Sequence, residues 1–277
     1  MWYDKVVGRK RDLVSKTASK LAWPVKKVRS EKYQGRPRLA ILMFHRILDE
    51  PVTNAEMRDM NMSVQVFRKY CEYFKERSQI CTLHEGLERM KKGEGPYPLV
   101  VFSFDDGYGN FYQNAFPVLK ELGIKANQNI IARYADEGAG GYMNWAQIWE
   151  LRDSGLVEIG CHTYAQHYLV EGEPALARAS EAEVLADLER ARESFLANLG
   201  EGFDIVAWPY GVPPKNVSTE KLRELGVKFQ LNTVSGMNFS PMKLGDLKRF
   251  AALGFEEPEK LGAIIDGYDD LGFLLGR

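Results

Sequence analysis

Long apolar runs are missing from this sequence of 277 residues. None approaches the roughly 20 residues that a membrane-crossing helix needs. Cysteine is scarce too. The three present, Cys71, Cys81 and Cys161, form no C-x-x-C pair and leave an odd count, which argues against a disulfide framework and fits a reducing compartment. Charge imbalance is also absent. The net charge is -1, so the chain as a whole gives no reason to propose nucleic acid as a partner. The basic start, Met1 to Arg11, is followed by no unbroken apolar core of the kind a signal peptide carries, and the expectation is a cytoplasmic protein. Histidine is confined to His45, His84, His162 and His167, so the places where it falls are informative.

Apolar residues are plentiful at 45%, enough for a sizeable core, and they exclude wholesale disorder. Strand-like runs at 38–44, 79–81, 100–104, 124–131, 157–160, 204–208 and 227–231 alternate with helical stretches. Segment 246–250 is one more candidate strand. Ser63 caps a helix that places Val66, Phe67, Tyr70 and Phe74 on one face. Gly123 closes a helix from Phe111 that Pro117 either kinks or starts late. Asn144 caps another helix that ends near Ser154. Roughly seven strands with short connections predict parallel strands wrapped by helices, as a barrel or an open doubly wound sheet.

A single domain over 36–277 follows an N-terminal segment, 1–35. Residues 1–30 carry nine Lys or Arg against two Asp. Tyr3, Val7, Val14, Ala18 and Leu21 fall on one helical stripe, and Lys5, Arg9, Lys16 and Lys20 on another, with Trp2 and Trp23 flanking. Such a basic amphipathic helix can lie on an anionic membrane surface, here the inner face, or pack on the domain with its basic side in water.

The residues able to do chemistry gather at strand ends. Val100, Val101, Phe102 and Phe104 lead straight into Asp105, Asp106 and Gly107. Neighbouring side chains on a strand face opposite ways, so both acids can reach one pocket only where the backbone bends. One acid would then hold a cation and the other handle a proton. Asp-Asp-Gly is also ordinary turn chemistry, and only the rest of the chain raises it above that. His162 and His167 follow another strand. On a helix they would point about 140° apart, so they can share an ion only from a loop that curls back.

Two imidazoles, one carboxylate and water make an open tetrahedral zinc site, and the same donors suit other divalent transition metals. Such an ion lowers the pKa of bound water toward ~7 and polarises a carbonyl. A second carboxylate would take the water's proton, and a leaving amine would need a donor. His45, at the end of its own strand, is the candidate donor. His84, close to Glu85 and Glu88, reads as a surface or capping residue, and Cys161 as a small buried strand residue. The turn Ala207-Trp208-Pro209-Tyr210-Gly211 offers backbone N–H groups for an oxyanion hole, and Trp208 and Tyr210 as faces for a sugar ring. Asn144 and Trp145 are further candidates on the oxyanion and substrate side. Lys248 and Arg249 are candidates to orient an acid.

Phe104-Asp105-Asp106-Gly107, His162-Thr163 with His167, and Trp208-Pro209-Tyr210-Gly211 together resemble the motifs of the polysaccharide deacetylase family, also called NodB-like. Leu42-Met43-Phe44-His45-Arg46-Ile47 is similar to the branch that deacetylates poly-N-acetylglucosamine, in which the barrel is permuted and the catalytic-acid histidine comes early. No histidine follows His167, so a member with the unpermuted order would lack its acid. The resemblance spans 39–250. It implies an incomplete (β/α)7 barrel and metal-dependent N-deacetylation. It assigns Asp106, His162 and His167 to one divalent transition metal, with zinc first and cobalt or nickel as alternatives. It makes Asp105 the general base, His45 the general acid, and the Tyr210 N–H an oxyanion donor.

Two departures from the family pattern stand out. Ala207 occupies the place where many members carry an Arg that orients the base, and Arg249 or Lys248 is the expected substitute. Ala126-Asn127-Gln128-Asn129-Ile130 replaces an Ala-Thr-Phe-Phe-like strand, and its polar side chains are expected either beneath a loop or facing substrate.

The functional expectation is a metal-dependent hydrolase that removes acetyl from an N-acetylated amino sugar in a polysaccharide or a glycan precursor. The absence of an export signal favours an intracellular or membrane-surface precursor. Two alternatives are a hydrolase of another small N-acyl group such as formyl, and a non-catalytic glycan-binding or scaffolding barrel.

Overall fold

The computed structural model describes residues 37–50, 61–94 and 98–267. The expected N-terminal helix lies outside the described residues. Seven strands run parallel in one curled sheet: β1 (Arg38–Phe44), β2 (Leu99–Phe104), β3 (Ala126–Ile130), β4 (Val157–Cys161), β5 (Ile205–Ala207), β6 (Phe229–Leu231) and β7 (Phe250–Ala251). Their spatial order is β6-β5-β4-β3-β2-β1, with β7 beside β1. A parallel bridge between Leu231 and Leu247 brings the lead-in to β7 alongside β6, so the sheet curls into an incomplete barrel. Gln79–Ile80 adds a short parallel strand at the start of β2, and Asn238–Phe239 an antiparallel one at the start of β1.

Eight α-helices separate the strands among the described residues: α1 (Val64–Arg77), α2 (Leu83–Lys92), α3 (Phe116–Leu122), α4 (Ala132–Asp136), α5 (Trp145–Asp153), α6 (Glu181–Leu199), α7 (Thr219–Glu224) and α8 (Pro258–Ile265). Ser63 caps α1 as expected, accepting a hydrogen bond from the Val66 N–H. The chain from Phe111 first makes one π-helical turn, and Pro117 then sits in the first turn of α3, where its missing N–H costs nothing.

Side-chain parity divides the barrel. Ala40, Leu42 and Phe44 of β1 and Val100, Phe102 and Phe104 of β2 face outward into the helical layer. Phe44 meets Phe67, Tyr70, Phe102 and Phe104 with ring centroids 5.7, 5.9, 5.2 and 4.9 Å away. Truncating so enclosed a ring costs about 3–5 kcal/mol, and the ring anchors the strand end just before His45. Leu39, Ile41, Leu99, Val101, Ile205, Ala207, Leu231 and Leu247 face inward and fill the lower barrel. Leu83, Leu87 and Met90 of α2 join this inner cluster and close its floor.

Asn127 and Asn129 of β3 also face inward. They are fully buried. They form an internal hydrogen-bonded chain with Ser103. The Ser103 hydroxyl donates to Asn127 Oδ1 at 3.1 Å, and Asn129 Nδ2 donates to Ser103 Oγ at 3.2 Å. Among the described residues no helix is long and apolar enough to cross a membrane.

Candidate active site

The same parity continues past the strand ends. Counting in twos from inward positions leads from Ile41 through Met43 to His45, from Ser103 to Asp105, from Gly160 to His162, and from Leu247 to Arg249. His45, Asp105 and His162 lie at the carboxyl ends of parallel strands, where barrels place their chemistry, and Arg249 joins them from the lead-in to β7. Asp106 would face away, but it adopts φ 73 and Gly107 φ 79, and this left-handed pair swings the second carboxylate back over the mouth. Thr163 (φ 70) and Tyr210 (φ 57) share that strained conformation, so three of the four described non-glycine residues with positive φ belong to the site.

Asp106 Oδ1 lies 3.2 Å from His162 Nε2 and 3.3 Å from His167 Nε2. One donor atom from each of the three residues falls within 4.8 Å of the others. His162 Nδ1 donates to the Ala207 carbonyl at 2.7 Å, which leaves the Nε2 lone pair turned toward Asp106. Both Asp106 oxygens are buried without a hydrogen-bond partner. Two imidazole nitrogens and a carboxylate oxygen that converge in this way are a donor set that fits a divalent cation. His167 also stacks on Tyr210, with centroids 4.7 Å apart and planes 19° apart. Gly211 is required beneath that turn: its φ is 71, and a Cβ would stand 2.0 Å from Thr233 Oγ1.

Asp105 is held differently. Arg249 grips both of its oxygens, Nη1 to Oδ1 and Nη2 to Oδ2, each at 2.8 Å. Arg249 Nε is anchored on the Asn232 carbonyl at 2.8 Å. Asn129 Nδ2 adds a second donor to Oδ1, also at 2.8 Å. Oδ2 therefore carries fewer bonds and is the freer of the two oxygens. Lys248, one residue off parity, makes no such contact; its stem lies against Gly236 instead.

The electrostatics follow from this packing. Burial pushes the Asp105 carboxyl up, but the charges of Arg249 and His162 and the Arg249 hydrogen bond outweigh it and hold the group below the ordinary carboxylate range. Burial likewise opposes ionisation of Asp106, and His162, His45 and His167 pull it down. His162 is raised, because the two carboxylates overcome its burial. His167 falls to about 4, through burial and the neighbouring His162. Burial also lowers His45, against the pull of Asp106 and Asp105. Burial holds the Cys161 thiol well above its usual value, which suits an inert strand residue.

Three expected substrate residues have side-chain partners within the fold. Trp208 shares parity with outward-facing Val206; it is 1% exposed, its Nε1 donates to Gln230 Oε1, and it cannot face a sugar. Asn144 spends its side chain capping α5 on the Gln147 N–H. Trp145 ties α5 down by donating to Asp136 and packing on Phe195. At the opposite end of the barrel, His84 does more than cap a helix. It bridges Glu158 (Nδ1, 2.5 Å) and Asp204 (Nε2, 2.9 Å).

The sequence reading also missed a wall beside the mouth. The Arg46 guanidinium lies 4.1 Å from the Tyr108 ring centroid, Tyr108 stacks on Tyr142 at 5.1 Å, and Tyr142 meets Tyr134 at 4.2 Å. The run of tyrosines close to the Asp105-Asp106 turn was the available signal.

Comparison with known proteins decides the family, since residues 92–230 match the model for polysaccharide deacetylase. The chain belongs to the polysaccharide deacetylase family. It is a hydrolase that cleaves an amide bond and releases acetyl from an N-acetylated sugar. A poly-β-1,6-N-acetyl-D-glucosamine N-deacetylase from Staphylococcus aureus is 29% identical over 195 residues, covering 65% of this chain and 67% of its own. The solved structure of Streptococcus pyogenes deacetylase PplD in complex with acetate superposes with a TM-score of 0.69 at 21% identity, covering 84% of this chain and 99% of that one. IcaB from Ammonifex degensii gives a TM-score of 0.66 at 24% identity, covering 83% and 96%. These two similarities are of fold.

Proposed function

We propose that this deacetylase acts on a β-1,6-linked N-acetylglucosamine chain or its precursor and uses one divalent transition metal, zinc first, held by Asp106, His162 and His167. The substrate reading is supported by the name of the Staphylococcus aureus relative. The observation that carries the mechanism is the pairing of two unlike carboxylates: Asp106, open toward two imidazoles, and Asp105, locked by Arg249.

A bound ion supplies Lewis acidity, polarising the acetyl carbonyl and making a coordinated water more acidic. Asp105 accepts the attacking water's proton at Oδ2, its less occupied oxygen. Arg249 and Asn129 keep that carboxylate ionised and aimed; Arg249 thereby does the work of the Arg replaced by Ala207. The backbone N–H of Tyr210 faces the developing oxyanion. His45 delivers a proton to the sugar nitrogen as the C–N bond breaks, leaving acetate and a free amine. Tyr210 borders the mouth, 41% exposed, as the face for the neighbouring sugar.

Asp105→Asn should retain stoichiometric metal while acetate release from N-acetylglucosamine oligomers falls about 100-fold or more. Undiminished release would remove Asp105 from its role. The same assay with formylated or nucleotide-linked sugars, with a chelator control, separates the acyl group and carrier. A cytoplasmic location, peripheral on the inner membrane face through residues 1–30, is also proposed, from the sequence pattern.

A further inference from the structure

The metal ligands His162 and His167 are joined by four residues that make no regular element, yet their imidazoles meet at one oxygen of Asp106. A loop of this length has many conformations, and Thr163 within it sits at φ 70, which a β-branched residue resists. Something must hold it. From one side, the first two N–H groups of α4 donate to the loop: Ala132 to the Thr163 carbonyl at 3.2 Å and Arg133 to the Tyr164 carbonyl at 3.1 Å. From the other side comes a single carboxylate. Asp187 of α6 accepts the Tyr164 N–H on Oδ2 at 2.8 Å and the Ala165 N–H on Oδ1 at 2.9 Å. Arg190, one turn further along α6, covers the Tyr164 ring at 4.2 Å.

We infer that Asp187 is a positioning residue for the metal centre: its carboxylate fixes the loop that presents His162 and His167 to one cation. This rests on the metal-binding reading above. Both Asp187 oxygens are committed to backbone donors, and among the described residues no side-chain cation pairs with it at salt-bridge distance. Its job is therefore geometric. Two charge-assisted bonds to successive amides fix the peptide planes of Tyr164 and Ala165 relative to α6, and hence the spacing of the two imidazoles. α6 can serve as the anchor because it is itself fixed: Ser180 and Glu183 form a capping box, and Val184, Leu188, Ala191 and Phe195 are buried on the barrel. Nothing in the local sequence marks Asp187, since it stands 20 residues beyond His167 in an ordinary helix.

The test measures zinc affinity of the full chain by competition with a chromophoric chelator, for wild type, Asp187→Asn and Asp187→Ala. Glu189→Gln, on the exposed side of the same helix, serves as control. The apo melting temperature of each variant is recorded alongside. Asn preserves shape and can accept one of the two amide bonds, so it keeps the test alive if the Ala variant does not fold. Zinc affinity is expected to drop about tenfold or more in Asp187→Asn, as for partners that orient metal ligands elsewhere, with Glu189→Gln unchanged. Affinity within twofold of wild type in a folded Asp187→Asn chain would overturn the inference, as would a loss of apo stability with affinity intact. Absence of zinc binding by the wild type would instead overturn the metal reading itself.

Discussion

Replacing Arg249 by Met probes the pair on which the proposed base depends. The two side chains are almost wholly enclosed, Arg249 at 1% and Asp105 at 2% exposure, and they share one hydrogen bond and one further ion-pair contact, each at 2.8 Å. Removing one partner of a buried ion pair strands the other charge in a low-dielectric site, which costs about 3–5 kcal/mol. Asn129 remains as a donor to Asp105, so the lower part of that range is the better expectation. For a chain of this size the change lowers the melting temperature by roughly 5–10 °C.

The assay is thermal and urea unfolding in the presence of a chelator, so that occupancy of the neighbouring site does not contribute. The double variant Arg249→Met, Asp105→Asn removes both charges and should recover most of the loss. The pH dependence carries a sign. Because Arg249 holds the Asp105 carboxyl down, their pairing stabilises the fold above the ordinary carboxylate pKa of about 3.9, and that contribution disappears as pH falls through the depressed folded value. Arg249→Met should therefore show a shallower loss of stability in acid than wild type. Acetate release should fall in the same variant, while metal affinity should not, since Arg249 bonds to none of the three ligands. A stability change below about 1 kcal/mol, or a double variant no better than the single one, would refute the reasoning.

Two further outcomes are expected. His84 is held up to about 10 by its hydrogen bonds to Asp204 and Glu158, so its contribution to stability is complete below about 6.5 and fades as pH rises through about 10. His84→Gln should flatten unfolding free energy against pH across that alkaline window with acetate release unchanged at neutral pH, and an unchanged profile would count against the bridge. Deleting residues 1–30 should reduce co-sedimentation with anionic liposomes; equal binding by both chains would end the membrane proposal.

Much of this site was legible because strands alternate. The inward series that ends at His45, Asp105, His162 and Arg249 is written in the sequence as a period of two, and it also separates Arg249 from Lys248. The same rule, applied to Ile205, Val206 and Ala207, would have placed Trp208 outside, but the glycan-like look of an aromatic before Pro209-Tyr210-Gly211 outweighed it. Asn144 and Trp145 have local roles, a helix cap and a tertiary anchor, which engage Asn144 Oδ1 and Trp145 Nε1. Asp187, Asn129 and the His84 bridge were not legible. Each depends on which residue stands opposite across the barrel, and one sequence carries no record of that pairing.

Because Leu83, Leu87 and Met90 of α2 pack with Leu39, Ile41, Leu99 and Val101 in the lower barrel, side chains and not a passage lie beneath the site. Traffic is then one-way in and the same way out. Substrate therefore approaches, and acetate leaves, on the strand-end side alone.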